Sequence, residues 1–234
     1  SNMLITPNVI TPLEYGVGLS QVNEAVMENK GFEFLTDLNH NINSDFSVGL
    51  SGTITFAKNK VLEIYETSTT YNNPNRRRTG RPLGTQFGYK AIGYFEEQDF
   101  DQEGNLKPGI ATQPWGKLFP GDIRYEDTNG DGQITPEDHV PIGDPSTPGI
   151  IYGFAPSAKF KNISLEILFQ GVGNTSHYFD GSAMWAFFNG RSAYKQNFDY
   201  WRPDNPEANF PRLTSVPNTN NTQFSSKWMY DVSY

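Results

Sequence analysis

The chain of 234 residues contains no cysteine. This excludes a disulfide framework, a thiolate metal site and a cysteine nucleophile. No apolar run approaches the roughly 20 residues that a membrane-spanning helix requires. Positive charge is also scarce: 18 Lys and Arg stand against 26 Asp and Glu, which gives a formal net charge of -8. This balance argues against a nucleic-acid partner.

Motifs for catalysis are missing as well. His40, His139 and His177 are scattered, without the spacing of a zinc protease, and no nucleophile-elbow or phosphate-loop motif occurs. The acidic group formed by Glu96, Glu97, Asp99 and Asp101 could supply a glycosidase carboxylate pair, but a solvated loop explains it more simply. We therefore predict that the protein is not an enzyme and has no organic cofactor.

The residues that are abundant favour β-structure. Aromatic residues make up 14% of the chain, and long Leu/Ala/Glu/Lys stretches are absent, which is typical of strands joined by polar loops. From Phe46 to Phe56 the even positions are apolar apart from Gly52, and the odd positions are small or polar. With the similar run before it, this alternation predicts a hairpin over 31–57, and a second is predicted over 151–170 with a turn at 161–162.

Two environments suit strands with one wholly apolar face. In a soluble sandwich that face packs on a second sheet, whereas in an outer-membrane barrel it meets lipid. Long irregular stretches alternate with the short turns, as in outer-membrane barrels; they cover 66–88, 96–121, 138–149 and 171–230.

Pro156 predicts a bulge or bend. Only three short helical segments are expected, at 21–28, 135–138 and 183–188.

The most chemically specific segment is Asp127–Asp138, which has the pattern of a calcium loop. Oxygen-bearing residues occupy loop positions 1, 3, 5, 7 and 12, and Gly132 occupies the turning position; these candidate ligands are Asp127, Asn129, Asp131, Gln133 and Asp138. Strand-like and Pro-rich flanks replace the helices of an EF-hand, and Asp138 is shorter than the usual Glu. The alternative is a metal-free turn in which Asp and Asn accept local backbone hydrogen bonds.

Two further groups of residues have a functional and a simpler interpretation. Loop aromatics could form a sugar-stacking platform, although packing within the loops or against a partner explains them more simply; they are Trp115, Trp185, Trp201, Trp228, Tyr178, Phe179 and Tyr194. The basic cluster at 76–81 is interpreted as a solvated loop.

The order of several short motifs resembles the C-terminal part of the barrel of SusC/RagA-type TonB-dependent outer-membrane receptors. The resemblance runs from about residue 15 to the end and rests on the sequence and spacing of these segments: 29–34, 56–62, 88–95, 120–125 leading into the Asp127 loop, 142–145, 152–154, 169–173, 201–206 and 211–213.

This resemblance implies an all-β fold of antiparallel hairpins from a large barrel with long extracellular loops, in the bacterial outer membrane. It implies import of nutrients, above all glycans or else peptides, with a SusD-like lipoprotein, the TonB system and outer-membrane lipid as partners. Residues 1–3 are expected to be a tag-cleavage scar, and 4–234 an incomplete barrel region without plug or TonB-engaging segment. The alternative is a secreted β-sandwich carbohydrate-binding module with a calcium loop.

Overall fold

The computed structural model describes residues 2–5, 22–216 and 218–234. Within this part, antiparallel strands dominate, and the helical elements are one short α-helix and several single 3-10 turns. The strands are β1 (Asn2–Ile5), β2 (Val22–Asn41), β3 (Phe46–Glu63), β4 (Gln86–Gly88), β5 (Ala91–Tyr94), β6 (Ile123–Tyr125), β7 (Val140–Gly143), β8 (Ile150–Phe160), β9 (Ile163–Glu166), β10 (Phe169–Gly173), β11 (Ser176–Tyr178) and β12 (Met229–Asp231). The helical elements are α1 (Ser68–Asn72) and the 3-10 turns Glu97–Asp99, Pro136–Asp138, Gly181–Ala183, Phe188–Gly190 and Lys195–Phe198.

The chain divides into two compact units. The strand unit comprises the described residues up to Thr85 together with Asp144–Ser176 and Asp231–Tyr234, and the loop unit comprises Gln86–Gly143 and His177–Tyr230. None of the helices in the described ranges is long and apolar enough to cross a membrane.

The strand unit is an antiparallel sheet in the order β1-β2-β3-β8-β10, with β9 also paired to β8. The predicted hairpin over 31–57 is confirmed and is longer than expected, because β2 and β3 together reach from Val22 to Glu63. Asn43 closes its turn by accepting the N–H of Asp45 at 2.9 Å. The second predicted hairpin is confirmed as well, with Phe160 paired to Ile163 across the turn.

The register places the apolar positions of neighbouring strands opposite one another. Phe32 pairs with Phe56 and Leu38 with Leu50 between β2 and β3, while Phe46 pairs with Phe160 between β3 and β8. Directly opposed residues lie on the same side of a sheet. The apolar face is therefore continuous across the strands and consists of Phe32, Phe34, Leu38, Phe46, Val48, Leu50, Ile54, Phe56, Ile150, Tyr152, Phe154, Ala158, Phe160, Ile163, Leu165 and Phe169.

This apolar face is exposed although its side chains are large. Ile163 is 73% exposed and Phe32 59%. Aromatic pairs cross the strands at both ends of the apolar face: Phe32 stacks on Phe56 at 5.7 Å, and Phe46 meets Phe160 edge-on at 6.3 Å. Side chains of this size normally lie inside a soluble protein, so the exposed face calls for an apolar environment.

Four local predictions need correction or refinement. Residues 22–28 lie in β2 rather than a helix, and position 21 falls outside the described residues. At the 161–162 turn, Asn162 is the residue type expected to take a positive φ, but the positive φ belongs to Lys161, at 52°. Pro156 causes no bulge, since it pairs with Leu50 of β3 in unbroken register. On its other side proline has no N–H to donate to a neighbouring strand, and the chain there, at 167–168, lies between the end of β9 and the start of β10. The expected 183–188 helix is replaced by two 3-10 turns.

Candidate functional site

The loop unit is organised around an aromatic core. Tyr89, Tyr125 and Trp228 are almost fully buried together with Ile123 and Ile134. Their polar ends are satisfied: the Tyr125 hydroxyl donates to the carbonyl of Asn220 at 2.7 Å, and the Trp228 indole donates to that of Asn221 at 2.8 Å. Buried aromatic residues with satisfied polar ends make a specific core out of a segment with little regular structure.

Side-chain amides complete the hydrogen bonding of β6. Gln113 accepts the N–H of Tyr125 at 2.8 Å, and Asn221 accepts that of Ile123 at 2.8 Å. Asn220 donates to the Ile123 carbonyl at 2.8 Å. These amides take the place of a neighbouring strand, since buried backbone groups must find partners.

Asp122 is fully buried, and its hydrogen bonds connect parts of the loop unit that are far apart in the sequence. Its carboxylate accepts from Arg212 Nε at 2.7 Å, from the amides of Asn218 and Asn221 at 2.8 and 3.0 Å, and from the backbone N–H of Phe119 at 2.9 Å. A carboxylate is buried only when paired and fully hydrogen-bonded. This one fixes the 210–222 segment against β6.

The residue before this carboxylate must be glycine. Gly121 has a φ of +86°, which favours glycine, and a Cβ there would run into the ring of Trp201. The close approach lets Arg212 donate its backbone N–H to the Gly121 carbonyl at 2.9 Å.

Burial also changes the acidity of groups in this unit. It raises the pKa of Tyr178 to about 12, with Asp180 adding to the effect. It lowers the pKa of the Lys227 ammonium, which lies 4.8 Å from the Tyr94 ring centre, although Asp199 opposes that shift. Lys227, Arg124 and Glu207 border a polar cleft of about 430 Å³.

An apolar cavity of about 220 Å³ lies between the 184–190 turn and the 210–222 segment. Rings and aliphatic groups supply most of its wall, namely Trp185, Phe187, Phe188, Phe210, Val216 and Trp228. Trp185 packs edge-on against Phe188 at 4.9 Å and Trp228 at 6.4 Å. This cavity was not predicted from the sequence, and the density of aromatics in 184–188 was the available signal.

The backbone of the 184–190 turn is strained. Phe187 and Asn189 have φ values of 60° and 52°, in the left-handed region that non-glycine residues seldom occupy. Such conformations cost on the order of 1–3 kcal/mol each and cluster at binding sites. The turn nevertheless presents Phe187 partly to solvent.

The predicted calcium ligands lie on one loop, where their oxygens are occupied by backbone groups. Asp127 accepts the N–H groups of Gly130 and Gly132 at 2.7 and 2.8 Å. Asp138, fully buried, accepts those of Thr128 and Thr135, both at 2.8 Å. Thr135 caps the Pro136–Asp138 turn, which lies in the short helical segment expected at 135–138.

The fit of this loop to calcium is incomplete. Asn129 and Asp131 each accept a backbone N–H two residues ahead, at 2.9 and 2.8 Å. Gln133 would offer only its backbone carbonyl. Across residues 2–5, 22–216 and 218–234, no three acidic or histidine side chains converge as a metal cluster would. Calcium therefore stays a prediction, without a coordination geometry.

Other candidate groups from the sequence do not form a site together. His40 lies on β2, His139 packs on the Tyr89 ring at 4.3 Å, and His177 lies 5.1 Å from Phe179. Of the loop aromatics, Trp201 and Trp228 are buried, so packing explains them, whereas Tyr194 is half-exposed.

Side chains of the acidic and basic clusters make contacts within their own loops. Glu96 and Asp99 cap a 3-10 turn, and Asp101 accepts the N–H of Asn105 at 2.8 Å. In the basic cluster, Arg77 lies 4.6 Å from the Tyr71 ring centre, and Arg81 donates to the Pro74 carbonyl at 2.9 Å. These contacts agree with the interpretation of both clusters as loops.

No protein-family model matches the chain. It is 26% identical over 234 residues to TonB-dependent receptor P3 of Formosa agariphila, covering 94% of this chain and 22% of that protein. It is 27% identical over 222 residues to TonB-dependent receptor P26 of the same organism, covering 88% and 21%. The chain thus spans about a fifth of the length of these relatives.

Solved structures show the same fold. The structure of the RagAB peptide transporter matches 99% of this chain and 24% of its own, with a TM-score of 0.65 at 20% identity. The RagAB peptide importer in its closed-closed state matches with a TM-score of 0.63 at 20% identity. These matches confirm the predicted all-β fold, the resemblance to a SusC/RagA-type receptor segment and the outer-membrane location. The relatives are named as receptors and transporters rather than enzymes or secreted sandwich modules.

Proposed function

We propose that this chain, a segment resembling SusC/RagA-type TonB-dependent receptors, forms part of the wall and outer loops of a nutrient importer. The strand unit would lie in the outer membrane, and the loop unit would serve recognition. The observation that carries the proposal is the exposed apolar face of the sheet, which has the dimensions of a lipid-facing band.

The height of the apolar face fits a bilayer. On β3 it runs from Phe46 to Phe56, ten steps of about 3.3 Å, or about 33 Å along the strand. At the tilt of about 40° that is typical of outer-membrane barrels, this becomes about 25 Å along the membrane normal, the usual height of the apolar band. Phenylalanine pairs lie near both ends of the band, where aromatic girdles are found.

Charge bounds the apolar face at both ends. Beyond Phe32 and Phe56 the next positions on the same side are Lys30 and Lys58, which pair across the strands. At the opposite end, Asp45 and Lys161 follow in the turns, 4.0 Å apart. Lysine placed just outside an apolar band suits an interface with lipid headgroups, and a packed sandwich would need no such abrupt limit.

Cargo and partners are proposed from the resemblance to the receptor family. The predicted cargo is a glycan or a peptide, and the matched RagAB protein is described as a peptide transporter. At 20% identity this likeness shows the fold alone, so both cargo classes stand. A SusD-like lipoprotein and the TonB system are the proposed partners of the complete receptor.

Deletion and complementation test the import function. The complete receptor carrying this sequence should be required for growth on a specific glycan or peptide source and should copurify with the lipoprotein encoded beside it. Leu50→Arg, at the middle of the apolar face, should abolish assembly into the outer membrane, because a midplane arginine costs about 2–4 kcal/mol. Ser51→Arg, one residue along on the polar face, is the matched control. Normal assembly of both variants, or no uptake defect on deletion, would contradict the proposal.

Calcium at the Asp127 loop is a separate proposal. Its ligands would be Asp127, Asn129, Asp131, Asp138 and the backbone carbonyl of Gln133. Calcium would stiffen an extracellular loop rather than take part in chemistry. Support comes from the ligand spacing and from the location of all five residues on one hydrogen-bonded loop.

A further inference from the structure

The apolar cavity beside Trp185 suggests a more specific role for the loop unit. We propose that it is a side-chain pocket that binds one uncharged aromatic or branched aliphatic side chain of a peptide cargo. This inference rests on the peptide branch of the proposed function and adds the site and the preferred side chain.

The size of the cavity limits the ligand. Sites for whole small molecules usually enclose about 300–1,000 Å³, whereas this cavity has about 220 Å³. It can hold one large side chain but not an oligosaccharide. Its wall includes the rings of Phe188, Phe210 and Trp228, which match an apolar group.

The electrostatics of the cavity exclude a charged side chain. Arg212 is the charged residue in its lining, and its Nε is bonded to the buried carboxylate of Asp122 at 2.7 Å. Two of the lining amides are likewise engaged: Asn197 donates to the Met184 carbonyl at 3.0 Å, and Asn221 donates to Asp122 at 3.0 Å. An ionised ligand group would lose its hydration without gaining a counter-charge.

The backbone of the cavity wall supports this assignment. Phe187 and Asn189 have left-handed φ values of 60° and 52°, and strain of this kind persists where a binding geometry must be held.

The rim of the cavity also suits a peptide. Phe187 is 37% exposed and Val216 69%, so an apolar surface continues from the cavity to the solvent. A bound side chain would enter past these two residues while the peptide backbone stayed outside. Anchoring of one side chain in a desolvated pocket with an open rim is common in peptide and protein recognition.

Calorimetric titration of the purified complete receptor with capped tripeptides tests this assignment. Ala-Tyr-Ala and Ala-Leu-Ala should bind at least 10-fold more tightly than Ala-Ala-Ala or Ala-Asp-Ala. Ser215→Phe, which fills the cavity from its exposed edge, should remove that preference. Gln102→Phe adds the same side chain at an exposed site of the same unit and should leave it intact.

Equal affinities for the four peptides, or an unchanged preference in Ser215→Phe, would overturn the assignment of the cavity as a side-chain pocket. Loss of lipoprotein copurification in Ser215→Phe without an effect on peptide binding would assign the cavity to a protein contact and also overturn it. Receptor-dependent nutrient uptake measured in the same cells separates this failure from failure of the import function, because uptake can persist when the side-chain preference is absent.

Discussion

Replacement of Asp122 by alanine should loosen the loop unit while leaving the strand unit unchanged. The substitution removes the acceptor of five hydrogen bonds, two of them from the Arg212 guanidinium at 2.7 and 3.4 Å. Loss of one partner of a buried ion pair costs about 3–5 kcal/mol. The Arg212 side chain is 24% exposed, so water can partly replace the carboxylate, and we expect the lower end, about 3 kcal/mol. This corresponds to an increase of about 150-fold in the local opening equilibrium.

Hydrogen exchange of the complete receptor, followed by mass spectrometry, measures this directly. Peptides covering β6 and 210–222 should exchange about two orders of magnitude faster, while those of β2 and β3 should not change. Asp204→Ala is the matched control, because that carboxylate is 79% exposed and pairs with Arg202 at the surface; it should shift exchange by less than about 1 kcal/mol. Equal protection in Asp122→Ala and Asp204→Ala would refute the role given to the buried carboxylate.

Three further predictions follow from the same geometry. Gly121→Ala should destabilise the loop unit by about 2 kcal/mol or more, since its φ of +86° and the Trp201 ring leave no room for a Cβ; unchanged thermal stability would contradict this. The pKa of Tyr178, raised to about 12 by burial, lies above its value of about 10 in the unfolded chain, so its stabilising contribution is complete below pH 10. That contribution should be lost as the pH rises towards 12, and Tyr178→Phe should remove this part of an alkaline melt. Calcium should raise the melting temperature if the Asp127–Asp138 loop binds it, and Asp131→Ala should abolish the rise; a melt indifferent to calcium would favour the metal-free turn.

The strands were predictable because their pattern is local. Alternation from Phe46 to Phe56 specifies which side chains share a face, and a one-residue shift would place every one of them on the wrong side. The segment at 22–28 was misassigned because its register is set by pairing with β3, from Val26 opposite Glu63 to Glu28 opposite Lys60, and no local signal distinguishes that from a short helix. Pro156 shows the same limit, since it causes no bulge against β3 and instead lies opposite the gap between β9 and β10.

The loop unit was much less predictable. Its core joins Asp122 to residues 90 or more positions away, such as Arg212 and Asn221. Contacts of that separation follow from the fold rather than from a motif. The Asp127 loop was found because its spacing is local, whereas the cavity depends on two segments, 184–190 and 210–222, that are far apart in the sequence. Sequence could indicate the aromatic richness of 184–188 but not the space beside it.

Spin labels on single cysteines test the central claim, that the apolar face of the strand unit lies against lipid. The chain has no cysteine of its own, so labels at Leu50, Ser51, Thr53 and Ile54 report without background from this segment. In the complete receptor reconstituted in bilayers, Leu50→Cys and Ile54→Cys should be accessible to oxygen and shielded from a water-soluble nickel reagent. Ser51→Cys and Thr53→Cys should show the reverse. Equal access to the nickel reagent at all four positions would contradict the lipid-facing assignment and the importer account built on it.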